Sequence, residues 1–275
     1  RNRINSQHTT AVMNQMNKKY ALLSKSEQDV SQGVDKGKRT FIGGLVGASG
    51  LAVAPGVMLY QTASAKPVEQ AVSNAVRWGM LVNVNQCAED CDDCVTACND
   101  EHGLWPKEGS TTDSQWIRKL TVKDPSTGNA KSLPMMCQHC ENPPCVDVCP
   151  TGASFKREDG IVLVNMHTCI GCRYCMMACP YKARSFVHET LENQLPDSPR
   201  GKGCVESCNM CVNKIDAGDN TTACAEACSK AGHEAITFGD LNDPESDIST
   251  QLKAHGGNQI RADLGLNTGV RYQGL

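Results

Sequence analysis

In the string CIGCRYCMMACP, Cys169, Cys172, Cys175 and Cys179 stand at C-x2-C-x2-C-x3-C, with Pro180 directly behind. Thiolates so close together are ligands for a soft metal centre, and their spacing discriminates among centres. Three sulfurs on one tight loop can cover one face of a 4Fe-4S cubane but cannot wrap round to its far corner, so a fourth ligand has to come from elsewhere. Zinc knuckles and disulfides are the competing readings. A zinc site usually takes two short cysteine hooks set far apart, not three cysteines plus one, so the run argues for the cubane.

Sixteen of the seventeen cysteines fall into four such sets, each closing with C-x3-C. Cys137, Cys140, Cys145 and Cys149 run C-x2-C-x4-C-x3-C, again with a proline, Pro150, behind. In two-cluster ferredoxins the last cysteine of each run ligates the other cluster. The rule predicts that Cys137, Cys140, Cys145 and Cys179 hold one 4Fe-4S cluster and that Cys169, Cys172, Cys175 and Cys149 hold its neighbour. A proline after the exchanged cysteine fixes φ and lets the chain leave the helical turn at once.

The other two sets are less regular. Cys208, Cys211, Cys224 and Cys228 run C-x2-C-x12-C-x3-C around a polar insert with Asp216, Gly218 and Asn220, expected as a loop. Cys87, Cys91, Cys94 and Cys98 run C-x3-C-x2-C-x3-C, one residue long in the first gap. The exchange rule then groups Cys87, Cys91 and Cys94 with Cys228, and Cys208, Cys211 and Cys224 with Cys98. Four 4Fe-4S clusters are predicted, or three if the Cys87 set is incomplete. Cys204, the seventeenth cysteine, is a substitute ligand or a buried thiol. A free cysteine behaves as a small hydrophobe, which favours the second.

Elements must deliver these loops. Segments 79–87 and 160–169, GMLVNVNQC and GIVLVNMHTC, read as short strands running into a cluster loop, with a third strand at 235–238 and short helices in VTACNDEHG and MMACP. This predicts an α+β fold: a duplicated bacterial ferredoxin-like plan with two cluster-pair subdomains. Insert 103–136, with Trp105, Trp116 and the turn DPSTGN, reads as a hairpin whose Lys119 and Lys123 form a solvated face. The polar tail 247–275 is expected to wrap over a neighbouring subunit. With 275 residues but only 4% aromatics, the clusters must supply much of the interior, so a largely disordered apo chain is expected.

Charge beside the sets should tune them. Arg173, Lys182 and Arg184 near the third set would raise its potential, and Glu89, Asp90, Asp92 and Asp93 beside the first would lower it, unless solvent screens them. His139, between two ligands, reads as a neighbour of the cluster rather than a ligand.

Ahead of the cysteines, Lys38 and Arg39 open an uncharged stretch running to Tyr60, about the length of a membrane span although rich in glycine. Ala63, Ser64 and Ala65 would suit signal cleavage, and the alternative is retention as an anchor. Residues 1–39 hold eight Lys or Arg against three acids, which by the positive-inside rule leaves them in the cytoplasm. The expected organisation is a cytoplasmic segment 1–40, an uncleaved Tat-like signal or transmembrane anchor 41–60, a linker 61–76, and a four-cluster domain 77–275 on the periplasmic side. Met13, Met16, Tyr20 and Leu23 suggest a helix over 11–32, either a solvated tail or a docking element.

No phosphate loop, nucleophile elbow, zinc-protease motif or dinucleotide fingerprint occurs. The runs CQHCENPPCVDVCPTGA, CIGCRYCMMACPYKARSF and AITFGDLNDPES resemble those of the four-cluster, ferredoxin-like electron-transfer subunits of the complex iron–sulfur molybdoenzymes and their relatives, over roughly residues 77–275. Ser229 stands where that family carries proline. The resemblance implies single-electron relay without catalysis, in a membrane-bound complex of sulfur metabolism. It implies as partners the membrane, a polytopic quinone-interacting membrane subunit, a multihaem cytochrome c and further redox subunits, with no nucleic acid. Alternatives are the iron–sulfur subunit of a periplasmic molybdopterin reductase of polysulfide or tetrathionate type, that of a membrane-bound hydrogenase, or a cluster-based sensor.

Overall fold

The computed structural model describes residues 72–105, 110–192 and 194–275. The expected cytoplasmic segment, the helix over 11–32, the membrane anchor 41–60 and most of the linker lie outside these residues. Among the described residues no helix is long and apolar enough to cross a membrane.

The fold is mixed helix and sheet. Strand β1 (Trp78–Asn83) is buried along four successive residues rather than alternately, which marks a central strand covered on both faces. It lies between β8 (Ile236–Asp240), antiparallel with Met80 opposite Phe238, and β9 (Val270–Gln273), parallel with Val82 opposite Tyr272. Trp78 stacks on Phe238 with ring centroids 5.1 Å apart, closing one face of the sheet. Tyr272 is fully buried, and its hydroxyl donates to the Pro134 carbonyl (3.2 Å) and accepts from Gln138 Nε2 (3.1 Å).

The C-terminal region therefore departs from expectation. Instead of a tail spread over another subunit, 247–255 form helix α6 (Asp247–His255), capped by Ser246 and packed on β8, and Val270 and Tyr272 turn inward as the edge of the chain's own sheet. Those two apolar side chains at i and i+2 are what a half-buried strand needs.

Helix α1 (Asp93–His102) carries Cys94 and Cys98 and packs on α5 (Ala223–Lys230), which carries Cys224 and Cys228. Hairpin β2 (Arg118–Lys123) and β3 (Ala130–Met135) is the insert expected from the DPSTGN turn. Between Cys137 and Glu206 lies a smaller unit: helices α2 (Pro144–Asp147) and α3 (Tyr174–Ala178) pack together, flanked by the two-stranded pairs β4 (Ser154–Lys156) with β5 (Val162–Val164) and β6 (Ser185–Phe186) with β7 (Val205–Glu206). Helix α4 (Val212–Ala217) occupies half of the insert expected as a loop, and Gly218 ends it at φ 101°. The unit made by the second and third cysteine sets is thus nested inside the chain of the unit made by the first and fourth. Arg157 ties the two, pairing with Asp159 at 2.7 Å on its own side and Asp216 at 2.9 Å on the other.

Candidate metal centres

All seventeen cysteines are free thiols. Of the sixteen in the four sets, eleven are buried, four are partly buried and only Cys172 is exposed. They come together as three from one set with one from another. One cavity is lined by Cys87, Cys91 and Cys94 from the first set and Cys228 from the fourth, with Ala88, Pro134, Ala235 and Ile236 making its wall mainly apolar beside His233. A second is lined by Cys169, Cys172 and Cys175 with Cys149. Cys98 interacts electrostatically with Cys208, Cys211 and Cys224, and Cys140 with Cys137, Cys145 and Cys179. Apolar cavities with four inward sulfurs suit a cubane, whose thiolates surround a cluster rather than converge on one ion.

The four groups also follow one another. Cys94 faces Cys224, Cys208 faces Cys137, and Cys145 faces Cys175. Burial pushes the thiols of Cys94, Cys137, Cys140 and Cys224 up to about 12, so the thiolate forms only when a metal displaces the proton. Backbone amides point at sulfur as well: Ser154 N donates to Cys149 Sγ at 3.4 Å, Ala223 N to Cys211 Sγ at 3.4 Å and Ala235 N to Cys228 Sγ at 3.2 Å. Gly171 lets the Cys169–Cys172 loop close. Its φ is 69°, and a Cβ there would stand 2.2 Å from the Gly203 carbonyl oxygen.

Of the two alternatives for the acidic charges, the structure favours the screened one, and one lysine departs from expectation. Glu89, Asp90, Asp92 and Asp93 are all exposed, where solvent and salt screen them. Lys119, expected on a solvated face, is half-buried instead: its Nζ donates to the Ala88 carbonyl at 2.7 Å and to the Cys91 carbonyl. The additional residue in the first gap turns these two carbonyls towards one point, and hairpin β2–β3 delivers the ammonium to it. Lys123, farther along β2, is exposed as expected. Two charge-assisted hydrogen bonds of this kind contribute on the order of 2 kcal/mol each. Lys119→Met is therefore expected to loosen the Cys87–Cys91 loop and lower the potential of a cluster in this cavity. An EPR-monitored titration in which that signal keeps its midpoint and its full intensity would contradict the role.

His139 is buried, and its Nδ1 accepts from the Val162 amide at 3.0 Å, which makes it a strap to β5. Cys204 lies beside Cys169 and donates to the Met166 carbonyl at 3.3 Å; it does not line the cavity that holds Cys87. His102 had no signal in the sequence. It is buried against Trp116 at 4.5 Å between centroids, with Nδ1 3.1 Å from Ser198 Oγ and Nε2 3.5 Å from Cys211 Sγ. Burial, helped by the Arg200 charge, holds its pKa down at about 4, so it meets that sulfur as a neutral ring.

Residues 129–241 match the model of the 4Fe-4S dicluster domain family. The chain is 41% identical to the Hdr-like menaquinol oxidoreductase iron–sulfur subunit 1 of Archaeoglobus fulgidus, over 82% of this chain and 94% of the relative. It is 35% identical to a tetrathionate reductase subunit of Salmonella typhimurium, over 88% and 90%. It is 31% identical to the menaquinone reductase iron–sulfur cluster-binding subunit of Nitratidesulfovibrio vulgaris, over 72% and 88%. The buried sulfurs and these relatives agree: the chain belongs to the family of 4Fe-4S electron-transfer subunits of respiratory oxidoreductase complexes, and it conducts electrons rather than transforming a substrate.

Proposed function

We propose that this chain carries four 4Fe-4S clusters in series, each bridging two cysteine sets. The ligands are Cys87, Cys91, Cys94 and Cys228; Cys98, Cys208, Cys211 and Cys224; Cys137, Cys140, Cys145 and Cys179; and Cys149, Cys169, Cys172 and Cys175. The observation that carries this reading is the pair of cavities that each gather three cysteines of one set and the closing cysteine of another. Sulfurs of neighbouring groups interact electrostatically in the order just given, which suits passage of an electron from one end through all four.

The relay serves a membrane-bound complex of sulfur metabolism, most like the one whose iron–sulfur subunit is DsrO. It connects a polytopic quinone-interacting membrane subunit with a multihaem cytochrome c or other redox subunits. Two relatives whose names refer to menaquinol or menaquinone support the quinone side. The end nearest the surface is the cavity with Cys172, lined also by the exposed Ile170 (67%), while Tyr174 (58%) and Met177 (74%) on helix α3 add exposed apolar surface suited to a partner subunit. Residues 41–60 anchor the chain from a cytoplasmic segment 1–40, and domain 77–275 works on the periplasmic side. The tetrathionate reductase relative favours a second reading, the wiring subunit of a molybdopterin reductase.

Purification of the native complex separates the two. The first reading expects co-eluting c-type haem and an integral membrane subunit. Molybdopterin in the same fraction would overturn it in favour of the second.

A further inference from the structure

Arg184 follows the third cysteine set and precedes β6, and its side chain is 5% exposed. Its Nη2 donates to Cys145 Sγ at 3.1 Å and to Ser154 Oγ on β4 at 2.7 Å. The same charge acts on the sulfurs of Cys137 and Cys175. One guanidinium thus reaches sulfurs assigned above to two different clusters. Its Nε and Nη1 are buried with no hydrogen-bond acceptor among the described residues.

Two partly buried arginines behave differently. Arg157 pairs with Asp159 and Asp216, and Arg200 pairs with Glu206 at 2.6 Å. Arg184 forms no ion pair among the described residues, so no carboxylate cancels its charge. A buried cation with orphaned donors is strongly unfavourable unless anions surround it. Among the described residues, the thiolates and the sulfide of a cluster they would hold are the anions the site can offer.

We propose that Arg184 is a shared tuning residue, which donates to a sulfur of one cluster, sets its charge beside a sulfur of the next, and raises both of their potentials together. The inference rests on the ligand sets proposed above. A fixed positive charge favours the state with one more electron. When one electron leaves the first cluster of this pair and enters the second, it stays within reach of the same guanidinium. The cation therefore lifts both levels together instead of setting one above the other.

The test is an EPR-monitored redox titration of the intact complex carrying Arg184→Met or Arg184→Lys, with signals assigned through Cys140→Ala and Cys172→Ala. Poised at the wild-type midpoints, Arg184→Met is expected to leave both clusters at least tenfold more oxidised, a downward shift of about 59 mV or more for one electron. The remaining two clusters should stay within threefold, and Arg184→Lys, which keeps the charge, should hold the pair within threefold too. With all iron retained, unmoved midpoints in Arg184→Met, a shift of one cluster alone, or an equal shift in Arg184→Lys overturns the proposal. Should Arg184→Met fail to load iron, Ser154→Asp sets a carboxylate against the guanidinium and carries the same expectation, and an unmoved pair there overturns it. A wild-type chain lacking these two clusters would instead overturn the ligand sets.

Discussion

Stripping the iron with a chelator under reducing conditions is expected to abolish the cooperative thermal transition of this protein and most of its native far-ultraviolet circular dichroism. The described helices run from 4 to 10 residues and the strands from 2 to 6, and helices so short are marginal in water without tertiary support. That support is largely sulfur. Cys94, Cys98, Cys137, Cys140, Cys179, Cys208, Cys224 and Cys228 all belong to the main buried core, and Cys145 and Cys175 to the smaller one. A structural zinc site supplies roughly 10–16 kcal/mol of binding energy that is also folding energy, whereas a whole domain is stable by only about 5–15 kcal/mol. Metal centres of even comparable strength therefore exceed the net stability of the fold. Without them the buried thiols revert to small, protonated side chains that no metal holds together. Residual structure is expected in the β8–β1–β9 sheet, whose contacts among Met80, Val82, Val270 and Tyr272 do not depend on sulfur. A cooperative, native-like melt of the iron-free chain would show that this sheet suffices on its own and would refute the dependence.

How much of this was legible in the sequence depended on the range over which each interaction acts. The cysteine sets could be read because the cluster imposes spacing locally: three ligands must sit on one loop, and a positive φ such as that of Gly171 or Arg173 lets the loop turn. Strands β1 and β8 could be read from apolar and β-branched runs. Strand β9 could not, because Val270-Arg271-Tyr272-Gln273 is too short and too polar to stand out, and its partner β1 lies about 190 residues earlier in the chain. Lys119 failed for the same reason. Nothing in RKLTVK tells that its second residue will meet the carbonyls of Ala88 and Cys91, 31 and 28 residues upstream. Arg184 was visible as a charge near a motif, but its burial and its orphaned donors come only from the packing of β4 against the third set. The acids Glu89, Asp90, Asp92 and Asp93 show the opposite case, since only the structure reveals that all four are exposed. A charge adjacent in sequence can point wholly into solvent, while the effective cation arrives from a distant hairpin.

Cys87→Ala is expected to lower the iron content from about sixteen per chain to about twelve if the cluster is lost, or about fifteen if three thiolates retain a three-iron form. The irregular first gap is the reason to choose this residue. A gap of three puts Cys87 and Cys91 at a spacing other than that of a ferredoxin run, yet both sulfurs line the same cavity as Cys94 and Cys228. Two local features accommodate the additional residue. The Cys87 amide donates to the Val84 carbonyl at 3.4 Å, turning the chain off the end of β1, and Lys119 gathers the carbonyls that the longer loop projects. Cys204→Ala is the matched control and should keep all of its iron, since Cys204 is held by Met166 beside Cys169 and does not line that cavity. Because this cluster stands at one end of the series, its loss should leave three clusters reducible while blocking electron passage across the whole relay. If Cys87→Ala kept about sixteen irons and Cys204→Ala did not, the fourth ligand would have to reach the cavity from elsewhere, and the exchange rule would fail at the set whose spacing departs from it.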